Sequence, residues 1–213
     1  MKDVNARLPA IHEIHSTPVP TTDYFMKAYY AGQRCSGEVL DIGCNTGYMS
    51  GIIHSSCKYT SLEINKDVIG KAKEGTNIKL WDMISRPWPF ADSFFDTVLW
   101  LEGPETLIDP TPVYSEIFRV IKPSGTLVLA VSKFIRFTSP VFPKMYEYDL
   151  AEILKECQDN KLTPVNYQEV SQSNQRLYRK LFLIDCKPVK AAIIEKPKIE
   201  EKKDSSEIEI FRM

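Results

Sequence analysis

Val39-Leu40-Asp41-Ile42-Gly43-Cys44-Asn45-Thr46-Gly47-Tyr48 is the stretch whose reading decides the fold. An apolar run with one acid inside it stops at the first of two glycines four apart, and the residues after Gly47 suit a helix. The pattern predicts a strand, a tight turn and a helix start. Glycine at 43 and 47 allows backbone angles and close approaches that a Cβ would block, so a nucleotide-like ligand can lie on the main chain and meet free helix N–H groups. An isolated pair of glycines at this spacing equally marks a plain strand-to-helix turn in a doubly wound sheet.

The neighbouring segments decide between these. Lys58-Tyr59-Thr60-Ser61-Leu62 reads as a second strand ending at Glu63, 22 residues after Asp41, near the ~20 expected for a ribose-binding acid. Ile78-Lys79-Leu80-Trp81 reads as a third strand ending at Asp82. Three successive strands thus place an acid at or near the carboxyl edge, where open α/β sheets bind their ligands.

The order Val-Leu-Asp-Ile-Gly-Cys-Asn-Thr-Gly-Tyr resembles the first motif of the class I S-adenosylmethionine-dependent methyltransferases, of the methyltransferase type 11 kind. The resemblance runs from about Val39 to Ser132, through Asp92-Ser93-Phe94-Phe95-Asp96 and Glu116-Ile117-Phe118-Arg119-Val120-Ile121-Lys122-Pro123-Ser124-Gly125-Thr126-Leu127. It implies S-adenosyl-L-methionine as co-substrate. By similarity Asp41, Gly43, Asn45 and Gly47 lie at the methionine end, Glu63 takes the ribose hydroxyls, Asp82 the adenine amino group, Ile64 and Met83 flank the ring, and Leu101 ends the strand beside them. Asn45 stands where the family usually carries glycine; asparagine tolerates unusual backbone angles, so the loop is expected to survive. Family members acting on small molecules often carry two histidines after strand four, where this chain has Glu105 and Thr106.

Working outward, Thr21-Thr22-Asp23 caps a helix through about Gln33, whose Tyr24, Tyr29 and Tyr30 either face the pocket or pack on the sheet. Asn65 starts a helix that Gly75 stops. Phe95 to Leu101 reads as a buried fourth strand, Pro112 to Ile121 as a helix, and Thr126 to Val131 as a fifth strand. Asp149 to Asp159 reads as a helix, and the runs Pro164–Val170 and Leu177–Cys186 suit a terminal antiparallel hairpin. The expected fold is α/β: a doubly wound, mostly parallel, seven-stranded Rossmann-like sheet with that hairpin at its end. Residues 1–21 form an N-terminal arm or lid, 22–188 the cofactor-binding domain, and 189–213 a charged tail too polar to fold alone. Within the tail, Glu207 to Phe211 alternates as a strand does and offers an edge to a protein partner, although a solvated end is the simpler reading.

A length of 213 residues with 43% hydrophobic content supports one ordinary domain, and a net charge of −1 gives no global reason to bind nucleic acid. The N-terminus lacks the apolar core of a signal peptide, and no run of 18 apolar residues occurs, so a soluble cytoplasmic protein is expected. Five cysteines without a Cys-x-x-Cys pair read as reduced thiols. His12 and His15 share a helical face without a further ligand cluster, so no metal is expected.

The reading is therefore methyl transfer to a small, partly apolar acceptor. Three segments reach the carboxyl edge: the arm before Asp23, the loop Glu102 to Thr106, and the aromatic stretch Lys133 to Tyr148. Glu105, and less so Glu102, would orient or deprotonate the acceptor. The alternatives are a macromolecular acceptor, protein or RNA, and a non-catalytic scaffold working through a partner. A nicotinamide-dependent oxidoreductase is disfavoured, since Gly-x-Gly-x-x-Gly is absent and Asp41 sets negative charge where a pyrophosphate would lie.

Overall fold

The computed structural model describes residues 22–101, 103–107, 109–137, 149–173 and 177–190. Its elements are α1 (Thr22–Gly32), β1 (Glu38–Ile42), β2 (Lys58–Glu63), α2 (Lys66–Ile69), β3 (Ile78–Leu80), β4 (Phe95–Leu101), α3 (Thr111–Val120), β5 (Ile121–Phe137), α4 (Leu150–Asp159), β6 (Leu162–Ser173) and β7 (Leu177–Pro188). The seven strands form one sheet in the order β3-β2-β1-β4-β5-β7-β6. The pairings among β1 to β5 are parallel, and β7 runs antiparallel between β5 and β6. Strand order reverses between β1 and β4, which opens the crevice where such sheets hold ligands.

β4 and β5 are buried on both faces, which is why they read as continuous apolar runs. On one face Leu40, Val98, Trp100, Leu127 and Leu129 pack under α3 and α4, with Trp100 edge-on to Tyr114 at 5.0 Å. On the other, Val39, Leu99, Val128 and Ala130 pack under Ala28, Tyr30 and Ala31 of α1. Tyr30 thus packs on the sheet, while Tyr29 is exposed; the side chain of Tyr24 lies outside the described residues. The far end of α1 is clamped where Arg34 Nε donates to Asp185 Oδ2 at 2.7 Å and its guanidinium lies over the Tyr30 ring.

Several elements differ from the sequence reading. No α-helix follows Gly47; a 3₁₀ turn over Tyr48–Gly51 stands there. Gly51, two β-branched residues and two serines before β2 are poor helix formers, and the segment is too short to repay nucleation. α2 stops at Ile69 with Gly70 as its cap, short of Gly75, although Asn65 does cap its start by accepting from Asp67 N and Val68 N. β5 begins at Ile121 with an irregular register and continues to Phe137, because β7 offers it a partner as far as Leu177. Lys133–Phe137 is therefore strand, and the rest of the expected aromatic cap, residues 138–148, lies outside the described residues. α4 carries a capping box between Asp149 and Glu152. The domain also extends past residue 188: Val189 N donates to Lys161 O at 2.8 Å, and Lys190 Nζ bonds Ser93 Oγ at 3.2 Å and the carbonyls of Arg119 and Ile121. The tail beyond Lys190, including Glu207–Phe211, lies outside the described residues.

All five cysteines are thiols. Among the described residues no helix is long and apolar enough to cross a membrane, and no group of three or more His, Cys, Asp or Glu side chains suits a metal; His12 and His15 lie outside them.

Candidate functional site: acids along the carboxyl edge

Parallel pairing brings Asp41, Glu63 and Asp82 to one edge. β1 and β2 align Asp41 with Ser61, and β2 and β3 align Glu63 with Leu80, two residues before Asp82. The turn after β1 adopts the predicted backbone: Gly43, Asn45 and Gly47 have φ of 67°, 56° and 70°, and asparagine accepts the left-handed conformation as expected. A Cβ on Gly43 would sit 3.2 Å from Met83 Cε, so the β1 and β3 loops meet there.

The turn's amides point inward. Gly43 N and Cys44 N donate to Leu62 O at 2.9 and 3.2 Å, Thr46 N to its neighbour Asn45 Oδ1, and Gly47 N to Cys44 O. Asn45 N donates to Glu63 Oε2 at 2.9 Å, while Ile64 N and Asn65 N donate to Oε1 at 2.8 and 2.9 Å. The expected free helix amides are thus absent at these positions, because no helix starts there. Glu63 is instead a brace: one buried carboxylate ties the β1 loop to the start of α2. A carboxylate offers about four lone-pair sites, so capacity remains for a ribose hydroxyl. Asp82 is half-buried; its Oδ1 accepts from Ile84 N at 3.0 Å, and the Trp88 indole donates to Met83 O at 2.9 Å, which fixes the loop.

Asp41 is 2% exposed and accepts from the Tyr59 hydroxyl at 2.7 Å. Burial pushes its carboxyl up to about 7; the Tyr59 bond opposes this, the Glu63 charge adds to it and Lys27 opposes it. Glu105 is fully buried in a 3₁₀ turn over Pro104–Thr106, with Oε1 accepting from Ser132 N at 2.8 Å and no hydrogen bond to Oε2. Burial pushes it up to about 7 as well, against the Ser132 and Glu105 amides and the charge of Lys27. Lys27, on α1, is 6% exposed; burial pulls its amine down to about 8, against Glu105 and then Asp41. Glu102 lies outside the described residues, and Leu101 and Ile64 are half-buried beside the crevice.

Sequence reasoning missed Lys27 and Tyr59. Lys27 lies three and four residues before Tyr30 and Ala31, on the buried stripe of α1, and that spacing was the available signal. Tyr59 reaches Asp41 only through the β1–β2 register, which one strand's sequence does not contain.

The residues present suit an adenosyl amino acid: acids for the ammonium, ribose and adenine amino group, and a buried carboxylate oxygen without a hydrogen bond. Gly103 shapes the end of β4, since a Cβ there would overlap the buried Trp100 indole nitrogen. Gly103→Ala is expected to cost about 1–3 kcal/mol by overpacking, lowering Tm by roughly 3–10 °C in thermal denaturation; an unchanged Tm would mean that the loop accommodates the methyl freely.

Residues 40–129 match the family model described as a methyltransferase domain. A demethylmenaquinone methyltransferase of Staphylococcus aureus is 30% identical over 54% of this chain and 50% of its own length. The chain spans at most 50% of the length of the first curated relatives it matches. Among solved structures, Burkholderia thailandensis 1,6-didemethyltoxoflavin-N1-methyltransferase, holding its didemethyltoxoflavin and S-adenosylhomocysteine, superposes with TM-score 0.65 and 13% identity, covering 87% of each chain. The [4+2]-cyclase SpnF superposes with TM-score 0.66 and 14% identity, covering 86% of this chain and 94% of its own. At these identities the superpositions establish the fold. Residues 40–129 thus carry the likeness to a methyltransferase domain, and the sheet order agrees with the fold of the solved structures on which the chain superposes.

Proposed function

We propose that this protein transfers a methyl group from S-adenosylmethionine to a small, partly apolar acceptor. The observation that carries the reading is the line of acids, Asp41, Glu63 and Asp82, along the carboxyl edge of β1, β2 and β3, beside the strand-order reversal. Asp41 would hold the ammonium of the amino-acid end, Glu63 the ribose hydroxyls and Asp82 the adenine amino group, with Ile64, Met83 and Leu101 as apolar walls. When bound, the cofactor supplies an electrophilic methyl on sulfur, a chemistry that needs orientation and exclusion of water more than covalent help. The chain's contribution is positioning, and at Glu105 the handling of a proton. Oε2 of Glu105 is buried without a hydrogen bond, so it suits an acceptor hydroxyl or amine, and its raised pKa lets it take a proton near neutrality. The demethylmenaquinone and didemethyltoxoflavin methyltransferases named above support a small acceptor.

Calorimetric titration with S-adenosylmethionine and S-adenosylhomocysteine, followed by a screen of metabolite pools with the methyl-labelled cofactor, tests the reading; a folded protein that binds neither ligand sinks it. Once an acceptor is found, kcat/KM is expected to rise with pH through about 7 as Glu105 loses its proton. Glu105→Gln is expected to lower kcat by roughly 10²-fold or more and to flatten that limb. An unaltered pH profile would remove Glu105 from the chemistry.

A further inference from the structure

We propose that Tyr59 is a positioning residue that acts through Asp41: its hydroxyl holds one oxygen of that carboxylate so that the group meets the ammonium of the cofactor's amino-acid end. The role rests on the reading of Asp41 as the partner of that ammonium, and it adds a residue on β2 that works from behind the acid.

Asp41 is 2% exposed and lies inside β1, where the ladders with β2 and β4 occupy the neighbouring backbone amides. Glu63 has three backbone amides on its carboxylate. Asp41 takes a side-chain donor instead, the Tyr59 hydroxyl, at 2.7 Å from Oδ2. β1 and β2 pair Val39 with Tyr59 and Asp41 with Ser61, so the phenol reaches along the sheet to an acid that is not its register partner. Ser61, directly opposite, turns its hydroxyl to Asn77 O at 3.0 Å, and Leu99, the partner of Asp41 on β4, is apolar. The Tyr59 ring packs on the α1 side of the sheet, a need that phenylalanine would meet equally well. Its hydroxyl is what packing does not explain.

Burial disfavours the charged form of a carboxyl, and a hydrogen bond donated to that form favours it. Both act on Asp41: burial pushes it up to about 7, and the Tyr59 bond opposes the rise. The other titratable groups that face it are Glu63 on β2, whose charge adds to the rise, Lys27 on α1, whose charge opposes it, and the Cys35 and Cys44 thiols on either side of β1, which burial keeps protonated. Burial also raises the Tyr59 phenol, so it stays a donor. An ammonium gains charge pairing only from the ionised carboxylate, and the Tyr59 bond thereby sets the lower pH limit of cofactor binding.

Tyr59→Phe keeps the ring and removes the donor. Calorimetry on the full chain, from about pH 6 to 9, compares S-adenosylhomocysteine with 5′-methylthioadenosine, which has the nucleoside and thioether without the amino-acid end. Wild-type affinity for S-adenosylhomocysteine, relative to methylthioadenosine, is expected to rise with pH through about 7 as Asp41 ionises. In Tyr59→Phe that rise is expected to move up by about one to two pH units, the worth of one hydrogen bond to a charged group. The variant then binds S-adenosylhomocysteine about tenfold more weakly near pH 6.5 and within about threefold of wild type at pH 9, with methylthioadenosine changed by less than about twofold at either pH. Lys27 titrates near 8 in both proteins, so the quantity read is the ratio of the two proteins' affinities at each pH. A loss of equal size at every pH, an equal loss for methylthioadenosine, or no loss would overturn the assignment and leave Tyr59 a packing residue. Should Tyr59→Phe fail to fold, the wild-type profile decides: a rise through about 7 in the preference for S-adenosylhomocysteine supports the role, and a level preference overturns it. Failure of the wild-type protein to bind either ligand overturns the cofactor reading itself.

Discussion

Glu63→Ala is expected to lower both stability and cofactor affinity, and the structure makes these two separate losses. The carboxylate is 4% exposed and accepts three backbone amides, from Asn45, Ile64 and Asn65, at 2.8–2.9 Å. Hydrogen bonds to a charged group contribute roughly 1.5–3 kcal/mol each, and a buried donor left unmatched costs about 1–3 kcal/mol. Some of the three amides reach water in the variant, so a net loss of about 3–5 kcal/mol is reasonable. In a chain of this length that lowers Tm by roughly 6–20 °C. Affinity for S-adenosylhomocysteine is expected to fall by at least about tenfold beyond the effect on folding, through the ribose hydroxyls. Thermal denaturation with and without ligand measures both quantities. A variant with wild-type Tm would contradict the brace, and one with wild-type affinity the ribose contact.

Arg119→Ala is expected to destabilise the fold to a similar degree without touching the ligand. Its guanidinium donates to Glu116 at 2.6 Å, to Asp92 at 2.7 Å and to the carbonyls of Phe90 and Trp88 at 2.8 and 3.1 Å. It joins the segment before β4 to the last turn of α3. Glu116 in turn accepts from Trp88 N at 2.7 Å, so removing Arg119 leaves a nearly buried carboxylate without its cation. Breaking a fully buried pair costs about 3–5 kcal/mol; with Arg119 one-quarter exposed, about 2–4 kcal/mol is expected, read from urea midpoints. The same hub predicts acid sensitivity. Burial raises the Glu116 carboxyl, but the Arg119 bonds and the Trp88 amide outweigh it and hold it below its ordinary value. A carboxyl lowered in the folded state contributes stability that is present above its unfolded pKa and lost as pH falls through the folded one. Arg119→Ala should therefore weaken the fall in stability between the ordinary glutamate range and lower pH; an identical acid limb in both proteins would refute the linkage.

The Glu116–Arg119 hub also accounts for a motif that the sequence presented without its reason. Glu116 to Leu127 was legible as a family pattern, yet nothing in the string states that Arg119 binds Asp92 or that Lys190 docks on the same turn. Lys190 shows the limit of compositional reading: it falls in the stretch read as a charged tail, yet its amine bonds Ser93 and the carbonyls of Arg119 and Ile121.

Local chemistry is what the sequence by itself determined. Apolar runs, glycines and acids at strand ends specify β1, β2, β4 and β5, the left-handed turn at Gly43, Asn45 and Gly47, and the edge at which Asp41, Glu63 and Asp82 gather, because a parallel sheet places every strand end on one side. The tertiary structure decided what depends on pairing between distant segments. β-register brought Tyr59 to Asp41, the return of β7 drew β5 out to Phe137, and the docking of α1 on the sheet buried Lys27. It also turned Glu63 into a brace and left the chain after Gly47 as a single 3₁₀ turn. Such contacts join residues far apart in the chain, and their energy comes from burial and complementary charge that exist only once the segments have met.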